Sequence, residues 1–205
     1  LVPGPTGSRK TNTLYSALSR INTPETNIMT AEDPVEFNLP GINQVQMKES
    51  IGLNFANALR SFLRQDPNII LVGEVRDFET AEVAIKAALT GHLVLSTLHT
   101  NSAIGAITRM IDMGVEPYLL SSALIGVLGQ RLVRTNCPSC RTKSIAPADL
   151  VSRYGWEESG TVHLVHGRGC PECYDSGYKG RIGIHEVLDA DDGLQQMVMS
   201  NPGRD

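Results

Sequence analysis

One apolar run constrains the fold of this chain more than any other feature. The run Ile69–Val72 contains no polar residue and ends at Gly73. A strand without a polar face must be covered on both sides, which in proteins is done by helices packed against a parallel sheet. Apolar residues at helical spacing occur both before and after the run. The sequence therefore predicts an α/β fold.

Other predicted elements alternate around this strand. Leu14 and Leu18 mark one helical face. Leu59 and Phe62 mark a second helical face. Further helices are predicted at 80–89, 102–113 and 117–133, and further strands at 27–31 and 93–95. The alternation predicts a doubly wound core over residues 1–135 with a mostly parallel sheet.

Composition limits the classes of function. With 205 residues, 41% of them hydrophobic and 20% charged, the chain can bury one core and a small additional unit. A net charge of −4 disfavours a nucleic-acid surface. The sequence lacks an apolar run near the roughly 18 residues of a membrane span, and its start lacks the layout of a signal peptide. We expect a cytoplasmic fragment, truncated at both ends, without nucleic-acid binding or direct membrane insertion.

The four cysteines form two C-P-x-C units, at Cys137, Cys140, Cys170 and Cys173. Two such pairs supply the four thiolates of a closed tetrahedral Zn²⁺ site. Two disulfides are the alternative, which a reducing compartment disfavours. His163 and His166 lie between the pairs as alternative ligands, and we interpret them as surface or strand residues. The sequence predicts a zinc subdomain over 136–182 and a separate C-terminal segment over 183–205.

A glycine-rich stretch near the start, GPTGSRKT, fits the phosphate-loop pattern G-x-x-x-x-G-K-[ST] at Gly4, Lys10 and Thr11, but Arg9 replaces its second glycine. In such a loop, backbone N–H groups surround an anion, a lysine neutralises phosphates and a threonine holds magnesium. We expect these roles for Lys10 and Thr11. Glycine is used where the backbone approaches a ligand closely. We therefore expect Arg9 to lower nucleotide affinity by about tenfold, or about 1.4 kcal/mol.

An acidic residue follows the apolar run directly. Glu74 lies at the end of the predicted central strand, where folds of this class place the carboxylate that serves bound phosphates. The alternative is an exposed strand-end glutamate that pairs with Arg76.

Polar residues also follow or flank the other predicted strands. Three acids follow the strand at 27–31: Glu32, Asp33 and Glu36. His92 and His99 flank the strand at 93–95. A solvated turn and hydrogen-bonded spectator histidines are the alternatives. Because doubly wound sheets bind ligands at their strand ends, the recurrence of polar residues there favours a binding site.

Together these stretches resemble the secretion ATPase family, and more narrowly the motors of type II secretion and type IV pilus assembly. The resemblance rests on GPTGSRKTNTLYSAL, TAEDPVEFNLPGINQVQ, LRQDPNIILVGEVRDFETAEVAIKAALTGHLVLSTLHTN, and CPSC…CPEC followed by GYKGRIGIHEVL. It implies a RecA-like P-loop core that hydrolyses ATP with Mg²⁺. It also implies a hexameric ring in the full-length protein, peripheral at the inner membrane through a platform protein.

The resemblance assigns roles to individual residues. It implies that Glu74, Glu32 and His99 are catalytic and that Thr11 holds Mg²⁺. The other nucleotide contacts are expected from the loop, the aspartate box and the histidine box: Gly4, Pro5, Thr6, Gly7, Ser8, Arg9, Lys10, Thr11, Asn12, Asp33, Glu36 and His92. The cysteines match the family's zinc subdomain. Pilus-retraction relatives generally lack that subdomain, so the resemblance favours secretion or pilus assembly.

Departures from the family's pattern concentrate in the loop. Pro3, Arg9 and Asn12 differ from the expected V-T-G-P-T-G-S-G-K-T-T-T. Two hypotheses follow: a motor ATPase domain, or a catalytically silent platform-docking module with the same fold and zinc site. A zinc-dependent nucleic-acid binder is a third, which the acidic charge and an aromatic content of 5% disfavour.

Overall fold

The structure, a computed structural model, describes residues 1–157 and 160–200. These residues divide into two units. Unit 1 comprises Leu1–Arg131 and the described part of His185–Asp205, and unit 2 is Leu132–Ile184. Residues 185–200 of the final predicted segment therefore belong to unit 1.

A parallel five-stranded sheet forms the centre of unit 1. In chain order its strands are β1 (Val2–Pro3), β2 (Ile28–Glu32), β3 (Asn43–Gln46), β4 (Ile69–Val72) and β5 (Leu93–Leu98). In space they lie in the order β1-β5-β4-β2-β3, and each neighbouring pair is parallel. All of β4 is buried, as its apolar sequence predicts. Because the strands run the same way, their carboxyl ends lie along one edge of the sheet.

Helices follow most of the strands. They are α1 (Lys10–Ile21), α2 (Phe55–Phe62), α3 (Phe78–Leu89), α4 (Ala103–Asp112), α5 (Pro117–Ala123), α6 (Ala148–Arg153) and α7 (Asp192–Ser200), of which α6 belongs to unit 2. The N-cap side chains of Asn54, Asp77 and Ser102 accept backbone hydrogen bonds and determine where α2, α3 and α4 begin. Within residues 1–157 and 160–200, none of the helices is long and apolar enough to cross a membrane.

The two faces of β4 are covered by different helices. Ile70 and Val72 belong to an apolar cluster that contains Leu59 and Phe62 of α2 and residues of α3. Ile69 and Leu71 belong to a second cluster, which contains Leu14 and Leu18 of α1. Successive side chains of a strand point to opposite faces. The helical faces predicted from the sequence thus pack on the two sides of the central strand.

The predicted helix at 117–133 is wrong beyond Ala123. There α5 ends, and strand β6 (Gly126–Asn136) begins three residues later. Gly126 and Gly129 both lower helix stability. The strand also pairs with a strand at Tyr178–Asp189. A partner so distant in sequence leaves no trace in the local apolar pattern.

Unit 2 is built around a two-stranded antiparallel sheet. Its strands are β7 (Arg141–Ile145) and β8 (His163–Gly167), and the last strand within the described residues is β9 (Tyr178–Asp189). Arg141 pairs with Gly167. The register therefore brings the residue after Cys140 close to the segment before Cys170. A 3₁₀ turn at Pro171–Cys173 completes the second C-P-x-C unit.

Candidate functional site

The carboxyl ends of the unit 1 strands open into a cleft of about 420 Å³. The predicted site residues that line this cleft are Thr6, Gly7, Lys10, Thr11, Glu32, Asp33, Glu36, Glu74 and His99. Phe55 and Arg76 also line it. The fold thus brings four polar segments that are far apart in sequence to one surface.

The loop after β1 makes a tight turn into α1. The Ser8 N–H donates to the Pro5 carbonyl at 3.2 Å. Gly7 has φ +80°, a conformation that favours glycine. A Cβ at Gly4 would overlap the carbonyl oxygen of Gln130 and the Ser8 hydroxyl, so a side chain does not fit there. The loop therefore delivers its backbone to the N-terminus of α1, where free N–H groups suit an anion.

Lys10 is the first residue of α1 and is buried. Its Nζ donates to the carbonyls of Gly4 at 2.8 Å and Pro5 at 3.3 Å. Burial lowers the pKa of Lys10 below its ordinary value, and the negative charge of Glu74 offsets part of this shift. A phosphate in the cleft would stabilise the charged ammonium further.

Arg9 adopts the backbone conformation that glycine usually supplies in such a loop. Its φ is 62° and its ψ is 40°, in the left-handed region. Its side chain is exposed and is not among those that line the cleft. A residue with a Cβ pays about 1–2 kcal/mol to adopt this conformation. The loop keeps its turn with Arg9 present. The backbone strain at Arg9 therefore belongs to the folded protein, whether or not a ligand is bound.

Glu74 lies between the side chains of Arg76 and His99. One carboxylate oxygen forms an ion pair with Arg76 Nη2, and the other lies 3.3 Å from His99 Nε2. The hydrogen bond with Glu74 raises the pKa of Arg76 above its ordinary value. Glu74 itself is only 8% exposed. Glu74 therefore pairs with Arg76, as the alternative interpretation of the sequence predicts, but it is buried in the cleft and not exposed.

Glu32 accepts hydrogen bonds on both carboxylate oxygens. The Tyr15 hydroxyl donates to Oε2. Thr30 Oγ1 and Gln44 Nε2 donate to Oε1 at 2.5 and 3.1 Å. Burial and the Glu32 carboxylate raise the pKa of Tyr15, so the phenol keeps its proton. Glu32 is buried and its orientation is fixed, so it is not a residue of a solvated turn.

Some predicted residues do not line the cleft: Gly4, Pro5, Ser8, Arg9, Asn12 and His92. The first five belong to the loop and the start of α1. His92 is different, because it precedes β5 whereas His99 follows it. The Nδ1 atom of His92 lies 2.9 Å from the Ala87 carbonyl oxygen. The structure therefore places the two histidines at opposite ends of one strand.

Several residues that contact the site residues were not predicted from the sequence: Thr30 and Gln44, which donate to Glu32, and also Tyr15 and Gln130. Tyr15 lies on the buried side of α1. Its neighbour Leu14 is part of the predicted apolar face, which indicated that this side of the helix points inward. Gln130 hydrogen-bonds to the loop from a position 122 residues after Ser8 in the chain. Gln130 follows the apolar residues GVLG and precedes Arg131, so the local sequence does not mark it as buried. The pattern did not indicate the partner of that glutamine.

The four cysteines come together in unit 2. The Sγ atoms of Cys137 and Cys170 are 3.8 Å apart, and those of Cys140 and Cys173 are 3.9 Å apart. Tetrahedral Zn²⁺ with bonds of about 2.3 Å requires sulfur separations of about 3.8 Å. All four cysteines are free, so the alternative of two disulfides is wrong.

The histidines between the cysteine pairs lie outside this cluster. His163 and His166 are exposed residues of β8. Among the residues that the structure describes, the side chains suited to a metal ion are the four cysteines, whose ligand atoms all lie within 4.8 Å of one another. The cluster therefore fits a zinc ion without a histidine ligand.

Comparison with known proteins gives the family. Residues 1–204 match the model of the type II/IV secretion system protein family. The chain belongs to this family. It is 56% identical over 207 residues to the type IV pilus assembly ATPase PilB of Myxococcus xanthus, covering 98% of this chain and 36% of PilB. It is 51% identical over 203 residues to the type II secretion system ATPase E of Vibrio cholerae, covering 99% of this chain and 40% of the relative.

This type II/IV secretion system chain thus spans about two fifths of the length of these curated relatives. Among solved structures, it is similar to the pilus retraction motor PilT with bound ADP, with a TM-score of 0.69 and 32% identity. That match covers 98% of this chain and 49% of PilT. The ATPase DotB of Legionella pneumophila shares the fold, with a TM-score of 0.67 and 24% identity. The predicted RecA-like α/β core is confirmed.

Proposed function

We propose that this chain is the nucleotide-hydrolysing part of a motor ATPase that drives type II secretion or type IV pilus assembly. One observation carries the proposal. Lys10 and Thr11 of the loop share a cleft with the buried carboxylates of Glu32 and Glu74. The names of the relatives, ATPase E and PilB, support the same activity.

In this proposal the loop binds ATP. The N-terminal N–H groups of α1 and the Lys10 ammonium receive the β and γ phosphates. The hydroxyl of Thr11 and the carboxylates of Asp33 and Glu74 line the cleft, and oxygen ligands of this kind suit Mg²⁺. Bound Mg²⁺ supplies charge neutralisation at the phosphates. Thr11 is the residue that would hold it.

The carboxylates have different roles in this proposal. Glu74 orients the attacking water and accepts its proton. The ion pair with Arg76 fixes the direction of the Glu74 carboxylate, whose other oxygen faces His99. Glu32 has both oxygens engaged by uncharged donors. We therefore assign it the task of holding the segment with Asp33 and Glu36 at the cleft.

Arg9 affects the stability of the fold more than nucleotide affinity in this proposal. The left-handed conformation of Arg9 is part of the folded loop, and its side chain is exposed. The strain therefore reduces the free energy of unfolding whether or not a nucleotide binds. A loop that keeps its turn with Arg9 present favours the motor ATPase over the catalytically silent module.

We assign the cysteine cluster a structural role. Four cysteine ligands complete the coordination of Zn²⁺ and leave no position for a substrate. For the full-length protein we propose a cytoplasmic hexameric ring at an inner-membrane platform protein. The relatives include both secretion and pilus proteins, which supports a motor of either system.

The test compares three versions of the full-length protein. Glu74→Gln should keep magnesium ATP binding and lose most of the turnover, because it retains the shape of the side chain and removes the base. Lys10→Ala should lose binding. Glu25→Gln, at an exposed glutamate before β2, is the charge-matched control. Nucleotide binding without turnover in the parent protein would instead support the catalytically silent module.

A further inference from the structure

Gln130 connects β6 to the phosphate loop and to α1, and both polar atoms of its side chain form hydrogen bonds. Its Nε2 donates to the carbonyls of Ser8 at 2.8 Å and Arg9 at 3.3 Å. Its Oε1 accepts from Thr13 Oγ1 at 2.6 Å. The residue is 5% exposed. A buried amide with all of these groups satisfied has one orientation.

The backbone of β6 reaches the other end of the loop. The Leu128 N–H donates to the Leu1 carbonyl at 2.8 Å, which places the start of β6 beside the residue before β1. The carbonyl oxygen of Gln130 then lies against Gly4, so closely that a Cβ there would overlap it. Gln130 therefore contacts the loop at its first glycine and again at Ser8 and Arg9.

These contacts determine which way the peptide groups of the loop face. In a phosphate loop the N–H groups must point to the anion. Gln130 holds the carbonyls of Ser8 and Arg9 on the side of β6. A peptide group whose carbonyl is fixed has its N–H fixed in the opposite direction, because the group is planar.

Gln130 contacts the loop at the position where the sequence departs from the phosphate-loop pattern. Arg9 stands where the pattern has glycine, and it has φ 62°. Glycine adopts this conformation without strain, whereas arginine requires contacts that enforce it. We propose that Gln130 is a positioning residue that holds the loop in its phosphate-binding conformation and compensates for the missing glycine at position 9. This inference rests on the proposed nucleotide-binding function.

The experiment measures MgADP affinity in the full-length protein by titration calorimetry. Gln130→Glu keeps the shape but places an oxygen against the Ser8 and Arg9 carbonyls, and Gln130→Met removes the polar atoms. Gln65→Glu, at an exposed glutamine, is the charge-matched control. Each variant is made with Arg9 and with Arg9→Gly.

With Arg9 present, Gln130→Glu should raise the Kd of MgADP by at least about tenfold, or about 1.4 kcal/mol. In the Arg9→Gly protein the rise should be less than about threefold, because glycine adopts the left-handed conformation unaided. Gln130→Met should follow the same pattern. An equal rise in both backgrounds, or no rise in either, would overturn the inference.

A second measurement separates this inference from the proposed function. If the parent protein binds no MgADP, the proposed function is wrong. The role of Gln130 is then judged from chemical unfolding of the same four combinations of Gln130→Glu and Arg9→Gly. Gln130→Glu should destabilise the Arg9 protein more than the Arg9→Gly protein, since the two positions are in contact. Additive changes in the free energy of unfolding would contradict the inference.

Discussion

The hydroxyl of Tyr15 donates a buried hydrogen bond to the carboxylate of Glu32, and so connects α1 to the end of β2. The same hydroxyl accepts from Gln44 Nε2 at 3.3 Å and from the Glu36 N–H at 3.4 Å. Tyr15 lies one helical turn beyond Lys10 and Thr11. The Tyr15 phenol therefore fixes the side of the cleft that carries Glu32 and Glu36 relative to the phosphate loop.

Tyr15→Phe should lower kcat by about tenfold and change the KM for ATP little, because a hydrogen bond to a charged group contributes about 1.5–3 kcal/mol. The loss should be nearly absent when Glu32→Gln is already present, since Tyr15 acts through Glu32. Steady-state kinetics of the two single variants and the double variant would measure this. Tyr118→Phe, at an exposed tyrosine, is the matched control. A lower melting temperature with unchanged kcat would leave Tyr15 with a structural role only.

Arg9→Gly should raise the free energy of unfolding by about 0.5–1 kcal/mol, because it removes left-handed strain and adds backbone entropy to the unfolded chain. We expect nucleotide affinity to change by less than about tenfold. Denaturant unfolding and calorimetry test the two parts. Asp66→Gly is the comparison, since Asp66 also has positive φ (48°) but aspartate tolerates that region better. A larger gain at Asp66 than at Arg9 would contradict the strain argument.

Elemental analysis should find about one zinc per chain, because the sulfur separations match one tetrahedral ion. Cys137→Ser should reduce the zinc content. The double variant His163→Ala and His166→Ala should keep the full zinc content, since both histidines lie outside the cluster. Full occupancy in the cysteine variant would mean that the metal binds elsewhere.

Chelation should unfold unit 2 while unit 1 stays cooperative, because the apolar clusters around β4 belong to unit 1. Hydrogen exchange followed by mass spectrometry would locate the change: protection should fall in β7 and β8 and persist in β4. Readdition of Zn²⁺ should restore it. Loss of protection in β4 at the same chelator concentration would show that the two units do not unfold separately.

The prediction from sequence succeeded where the signal was local. The apolar run at Ile69–Val72 is the buried strand β4, and the faces marked by Leu14 and Leu59 pack on its two sides. The C-P-x-C spacing predicted the cysteine cluster, because two residues between ligands suit a tetrahedral ion. These features depend on periodicity and short spacing, which are visible in the sequence alone.

The features that were not predicted correctly depend on contacts between residues far apart in the sequence. The helix predicted through Val133 is replaced by β6, whose partner strand begins at Tyr178. The contacts of Gln130 and of Tyr15 likewise depend on which elements the fold brings together. Long-range pairing is not encoded in a local pattern, so it cannot be inferred from one sequence by periodicity.

The contact between Gln130 and the loop also concerns how such proteins diverge. If a distant side chain supports the turn at position 9, the loop's own glycine is free to mutate as long as that support persists. Glutamine at position 130 and arginine at position 9 would then be inherited together. If the glutamine were lost first, arginine would no longer be tolerated at position 9. A phosphate-loop pattern that requires glycine before the lysine would miss proteins in which arginine has replaced that glycine.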